Sequence, residues 1–428
     1  MPLLELSTSP EFPANLFKLD NGLTVIHQNM PATPVAVVDV WVKAGAANEP
    51  DAWSGMAHFL EHTIFRGTEK LQPGEFDQVI EDQGGFANAA TSHDYAHFFI
   101  TSAADLLPTM LPPLADLLLH ASIPDEEFYI ERDVVTEEIR QADDDPDWLM
   151  FQTLLETIYP HHPYGRSVLG KPELLQQRSP EQMRQFHHTY YQPDNMTVAI
   201  VGGIEDDKAL SLVEENFQDF PTPTESPRNP AMSALPLDRV RRTELRMPRL
   251  EHARLSMGWL GTGVRNMHDA YGLDLISTIL SEGRSSRLVQ RLRESQGLVH
   301  EIGSQFTLQK ESSLLTVHAW LDSENVEIVE KEICRCIEQI QFWGVTPIEL
   351  ARAKRLLCND YAFSTETPSQ LAGLYGYYQT ITTAEQAIAY PEQIQSFTPA
   401  ELQRIAIDYL SCYGYAVAVL KPTTVWEE

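Results

Sequence analysis

Hydrophobic and polar positions along this chain first indicate several β-strands. The segment from Leu16 to Val25 surrounds Asp20-Asn21-Gly22, a turn sequence typical of a β-hairpin. The valine-rich run from Val35 to Lys43 predicts a strand, and so does the β-branched run from Asn195 to Gly202. Residues 86–101 follow two glycines and also have the pattern of extended chain.

Helix patterns with capping residues and prolines at their starts lie between these strands. They predict helices from about Ser54 to Phe65, from Pro124 to about Ala142, from Asp147 to about Ile158 and from Pro180 to about Tyr190. Strands and helices are grouped and do not alternate strictly. We therefore expect an α+β fold in which sheets pack against helices.

The two halves of the chain have similar patterns. VVDVWVKAG precedes GMAHFLEHTIFRGTEKL in the first half, and ARLSMGWLGTG precedes GLDLISTILSEGRSSRL in the second, with an offset of 272 − 55 = 217 residues. Between them, the segment from Pro221 to Pro236 is rich in proline, which interrupts helices and central strands. We predict a first domain at residues 1–220, a linker at 221–240 and a second, homologous domain at 241–428.

Composition and charge exclude several classes of function. The 428 residues are 43% hydrophobic and contain no apolar run of about 18 residues, which excludes a membrane span. Lys+Arg 31 against Asp+Glu 61 gives a net charge of −30, which argues against nucleic acid and anionic lipid but is compatible with basic peptides. The chain start lacks a secretory pattern, and the four cysteines have no C-x-x-C spacing, so we expect a cytoplasmic protein with reduced thiols.

The candidate chemistry begins with His58-Phe59-Leu60-Glu61-His62. On a helix, two histidines four residues apart project from one face and can bind the same metal ion. Glu61 leans toward that face and can accept a proton from a metal-bound water. The order His-x-x-Glu-His is the inverzincin signature.

A catalytic zinc ion usually has three protein ligands, so a third must lie elsewhere in the chain. The helix predicted from Pro124 is dense in carboxylates, and Glu131 and Glu138 share one of its faces because they are two turns apart. The alternative for such a charged run is a solvated acidic helix.

The motif His58 to His62, followed after 138 − 62 = 76 residues by Glu138 within ERDVVTEEI, closely resembles the pitrilysin or insulinase family of zinc peptidases. The similarity is greatest to the processing-peptidase-like branch, whose members are of about this length. It continues through GGFANAATSHDYAHFF at 84–99, HPYGRSVLGKPELL at 162–175 and PDNMTVAIVGG at 193–203. The resemblance implies two homologous α/β-layered domains, each a mixed, largely antiparallel sheet with helices, that face each other across a chamber.

The resemblance also implies roles for individual residues. His58, His62 and Glu138 correspond to the ligands of one Zn2+ per chain, and Glu61 corresponds to the general base. Glu131 corresponds to a supporting carboxylate beside the site.

Two assignments have close alternatives. Glu137 competes with Glu138, but the family's ligand precedes an aliphatic residue, as Glu138 precedes Ile139. Asn88, with its neighbour Ala89, is similar to the position that contacts the substrate backbone; the alternative is an asparagine in a turn at a strand end.

The second half departs from the catalytic pattern. At the 217-residue offset, the motif positions correspond to Leu275, Thr278 and Ile279, none of which can bind zinc. The resembled family has a substrate-binding Arg and, seven residues later, a Tyr in this half. Here Arg293 matches the Arg, but His300 stands in place of the Tyr.

Three interpretations of this departure remain open. His300 replaces the Tyr hydroxyl as a donor, a homologous second subunit supplies the missing pair, or His300 is a surface residue without a role. The second interpretation implies a homodimer or heterodimer, as occurs in this branch.

The leading hypothesis for function is therefore a zinc endopeptidase acting on peptides or unfolded segments. The rival is a non-catalytic core or scaffold subunit, which would have no need of a complete ligand set. A metal-binding regulator would have no need of Glu61.

Overall fold

The computed structural model describes residues 12–224, 234, 237–248 and 250–423. Within these residues, two mixed β-sheets are packed with helices, which confirms the predicted α+β class. The chain divides into two compact units, neither of which is continuous in sequence. Unit 1 consists of Met1–Thr136, Val168–Asn229 and Ala362–Tyr390, and unit 2 of Glu137–Ser167, Pro230–Tyr361 and Pro391–Glu428, both in their described residues.

The strands predicted in the first half agree with observed strands within a few residues, and residues 86–101 contain two strands. The described residues form eleven strands. In chain order they are β1 (Asn15–Lys18), β2 (Thr24–Asn29), β3 (Val35–Val42), β4 (Phe86–Thr91), β5 (Ala96–Ala103), β6 (Met196–Gly202), β7 (Arg241–Met247), β8 (Ala253–Thr262), β9 (Glu301–Leu308), β10 (Ser312–Leu321) and β11 (Ala416–Pro422).

Three helices start within one residue of the predicted Pro124, Asp147 and Pro180, and one starts two residues after the predicted Ser54. The described residues form fourteen α-helices. They are α1 (Met56–Ile64), α2 (Glu75–Asp82), α3 (Leu107–His120), α4 (Asp125–Asp144), α5 (Pro146–Ile158), α6 (Pro172–Leu175), α7 (Pro180–Tyr190), α8 (Asp206–Asn216), α9 (Met267–Ser281), α10 (Val326–Trp343), α11 (Pro347–Phe363), α12 (Pro368–Ile381), α13 (Glu385–Ser396) and α14 (Pro399–Tyr409). Among the described residues, no helix is both long and apolar enough to cross a membrane.

The two sheets have the same strand topology. The order is β1-β2-β6-β3-β5-β4 in unit 1 and β7-β11-β8-β10-β9 in unit 2. Without β1 the orders match strand for strand, and in each sheet only the first matched pair is parallel. This agreement supports the internal repeat inferred from the sequence.

Two helices pack against the sheet that is formed mainly by the other half of the sequence. α5 comes from the first half but packs against β7, β8 and β11 of unit 2, whereas α12 comes from the second half and packs against β3 and β6 of unit 1. Gly376 permits the close approach of α12, because a Cβ there would lie 2.1 Å from Nε1 of Trp41. Most of the predicted linker at 221–240 lies outside the described residues, and the domain boundaries stay a prediction.

Candidate metal centre

The segment His58–His62 lies on α1, whose start is held by contacts that we did not predict. The buried carboxylate of Glu49 accepts hydrogen bonds from the backbone N–H groups of Gly55 (2.9 Å) and Ala57 (2.6 Å). These bonds satisfy donors that have no partner within the helix. Gly55 has φ +92°, and a Cβ there would lie 2.8 Å from the Cα of Gly170, so a side chain would displace the helix start.

The two histidines present their rings on one face of α1, with ring centroids 4.9 Å apart. His58 is buried. Burial, and secondarily the neighbouring His62, lowers the pKa of His58 to about 4. The imidazole is therefore neutral at neutral pH, which is the form that binds a metal ion.

A carboxylate on α4 completes the group. His58, His62 and Glu138 each offer a ligand atom, and these atoms lie within 4.8 Å of one another. The competing carboxylate of Glu137 instead lies 3.1 Å from Arg140, and its side chain is 56% exposed. Successive helical side chains diverge by about 100°, so only one of the two glutamates can face the histidines.

This donor set fits a catalytic zinc ion. Two imidazoles and one carboxylate are a known ligand set for zinc, and a fourth position remains for water or substrate. A structural zinc site would instead have four protein ligands. The three donors come from two helices, and helices hold ligands in a more constant geometry than loops do.

Glu131 lies on the same face of α4 as Glu138, two turns earlier, and contacts both α1 and the segment after it. Its carboxylate is buried, 3.4 Å from Nδ1 of His62 and 2.9 Å from Nε of Arg66. Burial alone would raise the pKa of Glu131, but the contact with His62 and the charge of Arg66 outweigh it and lower the pKa. An ionised carboxylate in this position orients the imidazole ring, as is common around metal-binding histidines.

Glu61 has a partner that the sequence did not indicate. The hydroxyl of Thr91, at the end of β4, donates a hydrogen bond of 2.5 Å to Oε2 of Glu61. Strand alternation alone would place Thr91 and Ala89 on one face. No signal in the sequence shows that this face meets α1, which packs against β4 in the structure.

The predicted substrate-binding residues of the first half lie on β4, an edge strand of its sheet. Asn88 is exposed, and its side-chain oxygen accepts a hydrogen bond from the backbone N–H of Ala89 (2.9 Å). Ala89 is half-buried and belongs to the opposite strand face. Asn88 therefore lies on the exposed face of β4 and Ala89 on its half-buried face.

The predicted substrate-binding residues of the second half lie in unit 2. Arg293 is in a short helical segment, Val289–Ser295, and pairs with Glu294 at 2.9 Å. His300 comes directly before β9, with Nε2 3.4 Å from Asp322. Neither belongs to the group formed by His58, His62 and Glu138.

Comparisons with family models match both halves of the chain. The model described as Insulinase (Peptidase family M16) matches residues 24–172. The model described as Peptidase M16 inactive domain matches residues 178–357.

Relatives of similar length also match. Over 419 residues, the chain is 30% identical to the zinc protease PqqE of Helicobacter pylori, covering 94% of this chain and 92% of that protein. It is 26% identical over 411 residues to an uncharacterised zinc protease, YmxG, of Bacillus subtilis, covering 95% and 98%. The crystal structure of a protease from Helicobacter pylori superposes with a TM-score of 0.90 at 28% identity, covering 96% of this chain and 99% of that one. The chain therefore belongs to the insulinase family of peptidases, family M16.

Proposed function

We propose that this protein is a zinc-dependent endopeptidase that hydrolyses peptides or unfolded segments. The observation that carries the proposal is the convergence of His58, His62 and Glu138, whose ligand atoms lie within 4.8 Å of one another. Glu61, one residue before His62, adds a carboxylate of the kind that serves as a general base.

A zinc ion bound by these three residues would lower the pKa of its water to about 7 and polarise the scissile carbonyl. Glu61 accepts a proton from the attacking water and then donates it to the leaving amine. The hydroxyl of Thr91 fixes one carboxylate oxygen of Glu61, which holds the base in a constant orientation. Glu131 keeps the ring of His62 oriented.

The edge position of β4 supports an extended peptide as substrate. An edge strand has unpaired backbone N–H and C=O groups that can bind another extended chain. β4 ends at Thr91, the residue that contacts Glu61, so a peptide added along this edge would pass near the base. Asn88 and Ala89 are the residues on this strand that we propose for substrate binding.

A complete donor set distinguishes this proposal from its rivals. A scaffold subunit needs neither the ligands nor the base, and a metal-binding regulator needs only the ligands. Here the ligands and the base lie on α1 and α4, and Thr91 and Glu131 each support one of them. We therefore favour a catalytic role for the chain.

We further propose that a homologous subunit completes the active enzyme, because His300 stands where the resembled family has Tyr. The chain alone is expected to bind zinc but to cleave a mixed peptide library slowly. Adding the partner should raise kcat/KM through contacts made to the substrate in the transition state. Bound zinc and library cleavage, measured with and without the homologous chain, test both this prediction and the proposed activity.

Two results would contradict the proposal that a homologous subunit is required. One is full activity of the lone chain combined with a large loss in His300→Ala. The other is a gain of lone-chain activity in His300→Tyr, which would show a self-contained site weakened by this substitution. No cleavage under either condition would count against the peptidase proposal itself.

The net charge of −30 predicts a preference for basic peptides. Raising the salt concentration from about 0.01 M to 1 M shortens the Debye length from roughly 30 Å to 3 Å. The KM for a basic peptide should therefore rise more than the KM for an acidic peptide of the same length. An equal response of both peptides would mean that the charge serves only solubility.

A further inference from the structure

We propose that unit 2 contains a second metal site, formed by His252, His300 and Asp322, for a transition-metal dication of the zinc class. Each of the three residues offers a ligand atom, and these atoms lie within 4.8 Å of one another. The site shares no residue with the group on α1 and α4. It adds a second ion to the one per chain that the peptidase mechanism requires.

The distances within this group suit metal ligands better than hydrogen bonds. Nδ1 of His252 lies 3.5 Å and Nε2 of His300 lies 3.4 Å from the same oxygen, Oδ1 of Asp322. Good hydrogen bonds to such an oxygen are about 2.7–3.2 Å long. Ligands at about 2.0–2.2 Å from a tetrahedral zinc ion are roughly 3.3–3.6 Å apart. Both nitrogen–oxygen distances in this group fall in that range.

The two imidazole rings are arranged accordingly. The ring centroids of His252 and His300 lie 4.3 Å apart, and the ring planes differ by 44°. Each ring turns one nitrogen toward the single oxygen of Asp322. Three donors of two chemical kinds thus lie within 4.8 Å of one another at this end of the sheet.

The sheet places these residues together. His252 comes directly before β8, His300 directly before β9 and Asp322 directly after β10. β10 lies between β8 and β9, and the antiparallel register pairs Ala253 with Leu321 and Glu301 with Trp320. The three donors therefore lie at the same end of three adjacent strands.

Backbone and side-chain contacts hold this end of the sheet. The N–H of His300 donates to the carbonyl of Trp320 at 2.8 Å, which extends the ladder by one residue. The N–H of Asn325 donates to the carbonyl of Asp322 at 2.9 Å, and its side chain donates to the carbonyl of Leu298 at 3.3 Å. The segments that carry His300 and Asp322 are therefore tied to each other, as a preformed site requires.

The donor types select the metal. Imidazole nitrogens suit zinc, copper and nickel, whereas magnesium and calcium prefer oxygen ligands only. The side chains are between 43% and 56% exposed, so water can complete the coordination. Because solvent competes with these donors, the second ion should bind more weakly than the ion at the buried His58.

The test is the zinc stoichiometry of the full metal-free chain titrated with Zn2+ alone. We expect two ions per chain in the wild type, the second at higher free zinc, and one in His252→Ala and in Asp322→Asn. Neither residue belongs to the proposed peptidase machinery, so these variants separate the site from any role of His300 in substrate binding. His268→Ala is the matched control, because His268 also pairs with an exposed carboxylate, Glu401, at 3.4 Å and should leave two ions.

The peptidase site and the second site can fail independently. His62→Ala should still bind one ion, and that ion should be lost when His252→Ala is added. One ion in the wild type and none in His62→Ala would overturn the second site while supporting the first. Two ions retained in both His252→Ala and Asp322→Asn would also overturn it, because the second ion would then be bound elsewhere.

Discussion

His58→Ala and His62→Ala are expected to remove most of the bound zinc, whereas Glu61→Gln is expected to keep it and to lower turnover by at least about 10²-fold. The variants differ because loss of a ligand weakens zinc binding, whereas loss of the base leaves the zinc bound and removes only the proton acceptor. Glutamine preserves the shape of Glu61 and can still accept the hydrogen bond from Thr91. Bound zinc and kcat on one peptide substrate give both readouts.

The zinc measurement should be made at low free zinc, so that only the tighter site is occupied. Circular dichroism or a thermal melt of each variant shows whether the fold is kept. Equal zinc loss in Glu61→Gln and His62→Ala would contradict the separate roles of base and ligand.

Glu138→Gln is expected to weaken zinc binding strongly, whereas Glu137→Gln should leave it nearly unchanged. A neutral amide is a much poorer zinc ligand than a carboxylate. Glu137 points to solvent and pairs with Arg140, and an exposed pair of this kind contributes about 0–1 kcal/mol to stability. The two substitutions are chemically identical and adjacent, so each is the matched control of the other.

Zinc affinity by competition with a chelator is the measurement. A structure with Glu137 at about 2.0–2.2 Å from zinc would reverse the assignment. A similar fall in affinity in both variants would instead indicate a general effect of charge on α4.

Much of the fold follows from local patterns in the sequence. The proline and capping signals placed α5 and α7 within one residue of their observed starts, because they depend on the backbone groups of the first helical turn. The 217-residue offset anticipated two sheets of the same strand order. The spacing of His58 and His62 also predicted a shared face, since four residues are about one helical turn.

Two supporting residues of the centre, Glu49 and Thr91, were not predictable in this way. Glu49 caps α1 from outside the helix, and Thr91 reaches Glu61 across 30 residues of sequence. Neither residue belongs to a sequence pattern that would mark it. Thr91 reaches Glu61 only because β4 packs against α1. The placement of α5 in unit 2 likewise depends on which sheet its apolar face meets.

The sequence by itself determined much of the secondary structure of the first half, the internal repeat and the two histidines and glutamate of the motif on α1. These features depend on residues less than about two helical turns apart or on direct similarity. The choice of Glu138 over Glu137 on α4 rested on the family resemblance, and only the tertiary structure decided which strand ends meet. His252, His300 and Asp322 show the reason most clearly. They are separated by 48 and 22 residues, and no periodicity connects them. The register of β8, β10 and β9 alone brings them to one end of the sheet.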